Sequence, residues 1–187
     1  MHKVIVIAAS AGGLQPLRQI VAALPEACPA AIFVVVHIGN RRSDLPTILS
    51  WSSKLKASFA TDDLPIQAGH IYVAPPDQHM VLESGRIHLN RGPKVHHTRP
   101  AADPLFISAA KVYGDRVIGV VLSGGDGDGA EGLRVIKEHG GRAVVQKPEE
   151  AVDPAMPEVA IATDHPDACL SAGEIAKLME LCGEPSG

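Results

Sequence analysis

Aromatic side chains are scarce in this sequence: Phe, Tyr and Trp together make up 3% of it. That scarcity removes the stacking platform on which single-stranded nucleic-acid binders lay successive bases. Basic clusters are missing as well. The formal net charge is −4, and Lys and Arg are scattered rather than run together, so there is no phosphate-tracking stripe and no nucleic-acid partner is expected. No hydrophobic run is long enough to span a bilayer; the opening one, Val4 to Ala9, is also too short for the apolar stretch of a secretion signal, so a membrane-embedded protein is not expected. Cysteine is sparse. Cys28, Cys169 and Cys182 are odd in number and far apart, which fits reduced thiols in the cytoplasm better than a disulfide framework or a zinc site.

What the chain has instead is aliphatic bulk. Apolar residues make up 45% of its 187 residues, so Val, Ile, Leu and Ala must fill one sizeable core. One domain is expected over residues 1–182, with 183–187 reading as a frayed tail. The runs Val4–Ala9, Ala31–Val36 and Val117–Leu122 read as strands buried on both faces, as in a parallel sheet. Further strands are expected at His70–Ala74 and Arg142–Gln146. A β-hairpin is expected from Met80–Leu82 and Arg86–Leu89 around Glu83-Ser84-Gly85. Helices are expected at Leu14–Leu24, Pro104–Tyr113, Ala130–His139, Pro157–Ala162 and Ala172–Cys182. The polar stretch from Gly39 to Ser58 reads as partly helical, with Leu45, Ile48, Leu49 and Leu55 as its apolar face, and Arg91–Pro100 as a loop. Alternation of strand and helix throughout predicts an α/β fold: a doubly wound, mostly parallel sheet flanked by helices, with a small β-hairpin, in a single domain. Such folds place their chemistry beyond the carboxyl ends of the strands.

Three strand ends here carry chemistry-bearing residues. Ser10 follows the first strand and precedes Gly12-Gly13 and a helix. It reads either as a helix N-cap or as a nucleophile beside backbone N–H groups that favour an oxyanion. The loop has neither of the glycine patterns of dinucleotide or P-loop binding, so no cofactor is expected. It also lacks the G-x-S-x-G elbow of ordinary α/β-hydrolases. His37 ends the second strand, as a structural histidine or as a general base able to take a hydroxyl proton. Asp128 lies in Gly124-Gly125-Asp126-Gly127-Asp128-Gly129, as a cap or as the acid that orients an imidazole, and on composition alone Asp126 competes for that role. No metal-ligand spacing occurs among them.

These segments, taken together, resemble a known family. Val4-Ile-Val-Ile-Ala-Ala-Ser10-Ala-Gly-Gly13 is similar to the G-A-S-T-G-G opening of the catalytic domain of chemotaxis protein-glutamate methylesterases (CheB type). Val34-Val-Val-His37-Ile is similar to their strand ending in Q-H-M-P. Gly69-His-Ile-Tyr72-Val-Ala-Pro-Pro-Asp-Gln-His79 resembles G-x-x-Y-x-A-P-x-x-x-H. His97-Thr-Arg-Pro100-Ala-Ala-Asp103-Pro-Leu-Phe106 resembles H-x-R-P-S-x-D-x-L-F. The segment Ile118 to Gly132 resembles G-V-x-L-T-G-M-G-x-D-G-A-x-G, and Ala155-Met156-Pro157 echoes a late G-M-P. The blocks are collinear and cover nearly the whole chain.

The resemblance implies hydrolysis of γ-glutamyl methyl esters on the cytoplasmic helices of methylated chemoreceptors, with glutamine deamidation as a related activity. It assigns Ser10 as nucleophile, His37 as base and Asp128 as acid. Asp126 takes the place of a family glycine, and Gln78-His79-Met80 only imitates the Q-H-M-P block. Ala11, Gly12, Gly13 and Gly125 are the expected oxyanion loop, with Arg99 and Asp103 as supports of the site. The departures are Ala11 for Thr, Val36 for Gln, Ile38-Gly39 for Met-Pro, Gly125 for Met and Asp126 for Gly. The lost polar groups around the base are expected to loosen its orientation, and the added carboxylate at Asp126 to raise the pKa of His37 or to repel an acidic receptor helix. With the first strand starting at Val4, the expectation is a stand-alone catalytic domain without a receiver domain, free of regulation or controlled by a separate protein acting in trans. Two rival readings stand beside the esterase: a catalytically silent scaffold of the same fold that binds a receptor or signalling partner, and a nucleotide-binding module using the Ser-Ala-Gly-Gly loop.

Overall fold

Strand β1 (Lys3–Ala9) is sequestered on both faces because every residue from Val4 to Ala9 is apolar. Val4, Val6 and Ala8 face one core, and Ile5, Ile7 and Ala9 the other, the period-2 alternation that makes one strand the floor of two layers. A computed structural model describes residues 2–38 and 41–182. After β1 come α1 (Leu14–Ala22), β2 (Ala30–Val36), α2 (Leu45–Ser52), β3 (Lys56–Phe59), β4 (Leu64–Pro65), β5 (His70–Val73), β6 (His79–Glu83) and β7 (Arg86–Asn90). Then follow α3 (Ala102–Tyr113), β8 (Val117–Val121), α4 (Ala130–Glu138), β9 (Arg142–Gln146), α5 (Ala155–Thr163), β10 (Ala168–Leu170) and α6 (Ala172–Leu181).

The main sheet has seven strands in the order β10-β9-β8-β1-β2-β5-β3, all paired in parallel. Helices α1, α2 and α6 cover the face carrying Ile5 and Ile7. Helices α3, α4 and α5 cover the face carrying Val4 and Val6. Each fully buried aliphatic side chain contributes about 1.5–3 kcal/mol by leaving water. The chain passes from β1 through β2 to the edge strand β3, turns back to insert β5 between β3 and β2, then returns to β8 and winds the other way. The order therefore reverses between β1 and β8, the point at which open α/β sheets form their ligand crevice.

The expected hairpin is present as β6 and β7, paired antiparallel, and β4 joins it as a third strand. Met80, Leu82 and Ile87 of this small sheet pack into the core with Phe106 of α3. Two parallel strands were not foreseen. The first is β3, within the stretch expected to be partly helical; the second is β10. Both are short edge strands, incompletely buried along their length. An edge strand covered on fewer sides needs no continuous apolar run, so its pattern is weak. The tail expected at residues 183–187 lies outside the described residues, as does the start of the polar stretch at Gly39.

Candidate active site

Ser10 leaves the C-terminal end of β1, where the backbone folds into a tight turn before α1. Its N–H donates to Ser123 O at 2.9 Å, and its carbonyl accepts the Gly13 N–H at 2.9 Å. Gly12 in this turn has φ +73°, and a Cβ there would stand 2.9 Å from Val152 Cγ1 and 3.0 Å from Ser123 Oγ. Both the dihedral and the space require glycine. The Gly13 amide is committed to Ser10, whereas the amides of Ala11, Gly12 and Gly125 have no protein acceptor among the described residues.

His37 leaves β2, the strand beside β1. Ala9 pairs with Val36, and the His37 N–H donates to Ala9 O at 3.3 Å. Ser10 and His37 are thus the next residues on two adjacent strands. The imidazole is 9% exposed, and its Nε2 lies 2.7 Å from Asp128 Oδ2.

Asp128 reaches this point from the loop between β8 and α4 and is fully buried. It does not cap the helix that follows it. Gly129, with φ +93°, takes that position, and a Cβ on it would stand 2.9 Å from Val121 Cγ2. Asp128 caps α3 instead, accepting the Ala102 N–H at 2.6 Å and the Asp103 N–H at 3.0 Å. Asp103 returns the arrangement: its Oδ1 accepts the amides of Gly129 (3.0 Å) and Gly132 (2.8 Å) at the start of α4. Each helix start therefore binds a carboxylate carried by the other, which locks the two together and fixes the Asp128 oxygens in place.

The electrostatics follow from this packing. Burial alone pushes the Asp128 carboxyl up, but the His37 hydrogen bond and the two backbone amides outweigh it, and the group lies below the ordinary carboxylate range. Burial pulls the His37 imidazole down. The Asp128 hydrogen bond and charge, with the charge of Asp126, overcome that, and the net shift is upward. Asp103 is pushed up by burial and by the neighbouring Asp128 charge.

Asp126 stands beside the base, and its charge adds to the upward shift of His37, as the sequence leads one to expect. Its Oδ2 lies 3.3 Å from His37 Nδ1, and its Oδ1 accepts the Asp128 N–H at 2.9 Å. Both imidazole nitrogens therefore face carboxylates. Among the described residues, the Ser10 hydroxyl has no hydrogen bond to His37. The fold brings His37 and Asp128 into contact, sets Ser10 on the adjacent strand end, and adds Asp126 to the open side of the ring.

Arg99 stands apart from these groups. It grips Asp77 through Nε (3.0 Å) and Nη2 (2.7 Å) and the Gly92 carbonyl through Nη1 (2.9 Å), tying the loop after β7 to the turn before β6. His96, Asp103 and Asp128 gather closely enough to suggest a cation cage. Their carboxylate oxygens, however, already face backbone amides or imidazole nitrogens. That donor set leaves little for a metal.

Ser123 was not singled out from the sequence, where it reads as one more small residue before Gly124. It is fully buried. Its hydroxyl donates to Ala11 O at 2.7 Å and accepts the Asp153 N–H at 2.9 Å, clamping the Ser10 turn to the segment before α5. Met156 fills the space beside it: its N–H donates to Gly124 O at 2.8 Å, and a Cβ on Gly124 would run into its sulfur and stand 2.8 Å from Ser10 Cβ. Ser123→Ala should release this clamp and cost about 1–3 kcal/mol of stability, since the partly buried Asp153 N–H loses its acceptor. A thermal melt checks this; a parent-like melting curve refutes the clamp.

Comparison with known proteins follows the same outline. A family model described as CheB methylesterase matches residues 5–179. A putative protein-glutamate methylesterase/protein-glutamine glutaminase of Leptospira interrogans is 40% identical over 179 residues, covering 95% of this chain and 93% of that protein. The corresponding enzyme of Pyrococcus horikoshii is 41% identical over 169 residues, which is 87% of this chain but 46% of that protein. The chain thus spans nearly all of the first relative and about half of the second. The crystal structure of the Thermotoga maritima CheB methylesterase catalytic domain superposes with a TM-score of 0.91 at 31% identity, over 96% of this chain and 98% of that one.

Proposed function

Because the chain belongs to the CheB methylesterase family, we propose that it hydrolyses glutamyl methyl esters of chemoreceptors with Ser10 as nucleophile, His37 as base and Asp128 as the orienting acid. The observation that carries this reading is the 2.7 Å contact between His37 Nε2 and the buried Asp128 carboxylate, with His37 and Ser10 each the first residue beyond the last pair, Ala9–Val36, of two adjacent strands. An aspartate so held fixes the ring and stabilises it once protonated.

Ser10 Oγ attacks the ester carbonyl as His37 removes its proton. The oxyanion falls against the amides of Ala11, Gly12 and Gly125, each good donor lowering the barrier by about 3–4 kcal/mol. The protonated imidazole gives its proton to the departing methoxide, and methanol leaves. Water, deprotonated by the same ring, then cleaves the acyl-enzyme to free the glutamate and Ser10. The relatives are named as glutaminases too, and a primary amide entering the same path loses ammonia in place of methanol.

Arg41 and Arg42 support an acidic substrate. Both are exposed, and with His37, Ile38 and Ser43 they line a cleft of about 480 Å³ beside the base. Two guanidinium groups at its mouth suit carboxylates next to the ester. Methanol release from a methylated receptor fragment tests the function, and its absence from folded protein refutes it. Replacing both arginines by glutamine should raise KM for a glutamate-flanked ester by about 5–20-fold, with kcat changed less than about twofold. An equal effect on a fragment with glutamine at the flanking positions would remove the charge argument. Among the described residues no helix is long and apolar enough to cross a membrane.

A further inference from the structure

We propose that Asp126 is a latch on the catalytic base: in the resting enzyme its carboxylate holds the imidazole edge of His37 that Ser10 must use, and it must let go before the serine is activated. This rests on the assignment of His37 as the base. Asp128 occupies Nε2 at 2.7 Å, so Nδ1 is the nitrogen left to receive the Ser10 proton, and Asp126 Oδ2 stands 3.3 Å from it.

The chemistry of the ring makes this arrangement specific to one protonation state. A neutral imidazole has one N–H and one bare lone pair. With its N–H directed at Asp128, its lone pair would point at the Asp126 carboxylate, and the two would repel. The imidazolium has two N–H groups and a full positive charge: it hydrogen-bonds Asp128 through Nε2 and pairs by charge with Asp126 at Nδ1. Two carboxylates beside one ring therefore favour the protonated form, which cannot accept a proton from serine. Loss of the Nδ1 proton to solvent removes the attraction that holds Asp126 and opens Nδ1 to Ser10.

In the resting state a second bond tethers Asp126 beside the ring: its Oδ1 accepts the Asp128 N–H at 2.9 Å, a local turn that leaves Oδ2 to the imidazole. The charged groups facing His37 come from every neighbouring segment. Asp126 and Asp128 belong to the β8–α4 loop. Arg41 and Arg42 share the cleft with the ring from the segment after β2. Asp103 and His96 stand behind Asp128, and Asp153 packs on Gly125. The two arginines oppose the carboxylates but are exposed, where solvent and salt weaken them. The upward shift of His37, to which Asp126 adds its charge, agrees with the latch.

The test is the pH dependence of kcat/KM on a p-nitrophenyl ester for the wild type, Asp126→Asn and Asp126→Gly. Asn keeps the acceptor for the Asp128 amide and removes only the charge; Gly removes both. The acid limb should move to lower pH by about 0.5–1 unit in both variants, making them about 3–10-fold more active than wild type on the acid side. A purely structural role would scale the rate equally at all pH values, and superimposable limbs overturn the proposal, as does a limb displaced upward. A second measurement does not depend on catalysis: NMR titration of the His37 ring in Ser10→Ala and in Ser10→Ala/Asp126→Asn. A lower His37 midpoint in the double variant supports the latch even if no ester is cleaved; equal midpoints overturn it even if the enzyme is active.

Discussion

Ser10→Ala should lose at least about 10⁴-fold of its p-nitrophenyl ester hydrolysis while keeping the wild-type melting curve. The size of the loss follows from what remains. Without the hydroxyl no acyl-enzyme forms, and only oxyanion donors and binding are left to assist water. The fold should not notice, because Ser10 is held by its backbone, through its N–H to Ser123 O and its carbonyl to Gly13 N–H, and both bonds survive in alanine. A half-buried methyl in place of the hydroxyl leaves stability within about 1 kcal/mol of the parent. Covalent labelling by a fluorophosphonate should vanish in the same variant. Parent-like hydrolysis or labelling by folded Ser10→Ala would remove the serine mechanism. A wild type that takes no label would favour the silent scaffold, a fold kept for binding.

Asp128 should be costly in two currencies, activity and stability. Asp128→Asn should lower kcat by about 10⁴-fold, because an amide can no longer hold and stabilise the imidazolium. It should also lose about 1–3 kcal/mol of stability, since its NH2 must confront one of the amides of Ala102 and Asp103 that now donate to it. Asp128→Ala leaves both buried amides and the ring without this acceptor, for a loss of about 3–5 kcal/mol. At this chain length that lowers Tm by about 2–4 °C for each kcal/mol. The pH dependence has a definite sign. The Asp128 carboxyl lies below its unfolded value, so its contribution is present above the unfolded carboxylate pKa and is lost as pH falls through the depressed folded one. Thermal melts across the acid range should show this decline in the wild type and its absence in Asp128→Ala. A fully stable Asp128→Ala, or an Asp128→Asn within tenfold of wild-type kcat, contradicts this account.

Much of the architecture is legible along the chain because burial on both faces leaves a continuous apolar run. Val4–Ala9, Ala31–Val36 and Val117–Leu122 each announce a central strand, and β1, β2 and β8 occupy the sheet's centre. The helices between them are marked by periodicity and by Gly140, whose φ of +83° ends α4. The edges leave no such signal. Lys56–Phe59 and Ala168–Leu170 are strands because neighbours already in place offer them a ladder.

The candidate site divides in the same way. Residue types and their positions at strand ends single out Ser10, His37 and Asp128, since a crevice opens wherever the winding of a parallel sheet reverses. Choosing between Asp126 and Asp128 required the family resemblance. What each carboxylate touches depends on how α3 and α4 pack, a matter of contacts between segments distant along the chain. Tertiary packing turns Asp128 from a cap of its own helix into the cap of α3 and the partner of His37. It also makes Ser123 a clamp on Ala11 O and brings Asp126 to the second imidazole nitrogen. Local pattern dictates which segments are strands and helices and where reactive residues sit, because burial and backbone preference act over a few residues. Which nitrogen faces which oxygen depends on the three-dimensional meeting of loops, because hydrogen bonds are won or lost over tenths of an ångström.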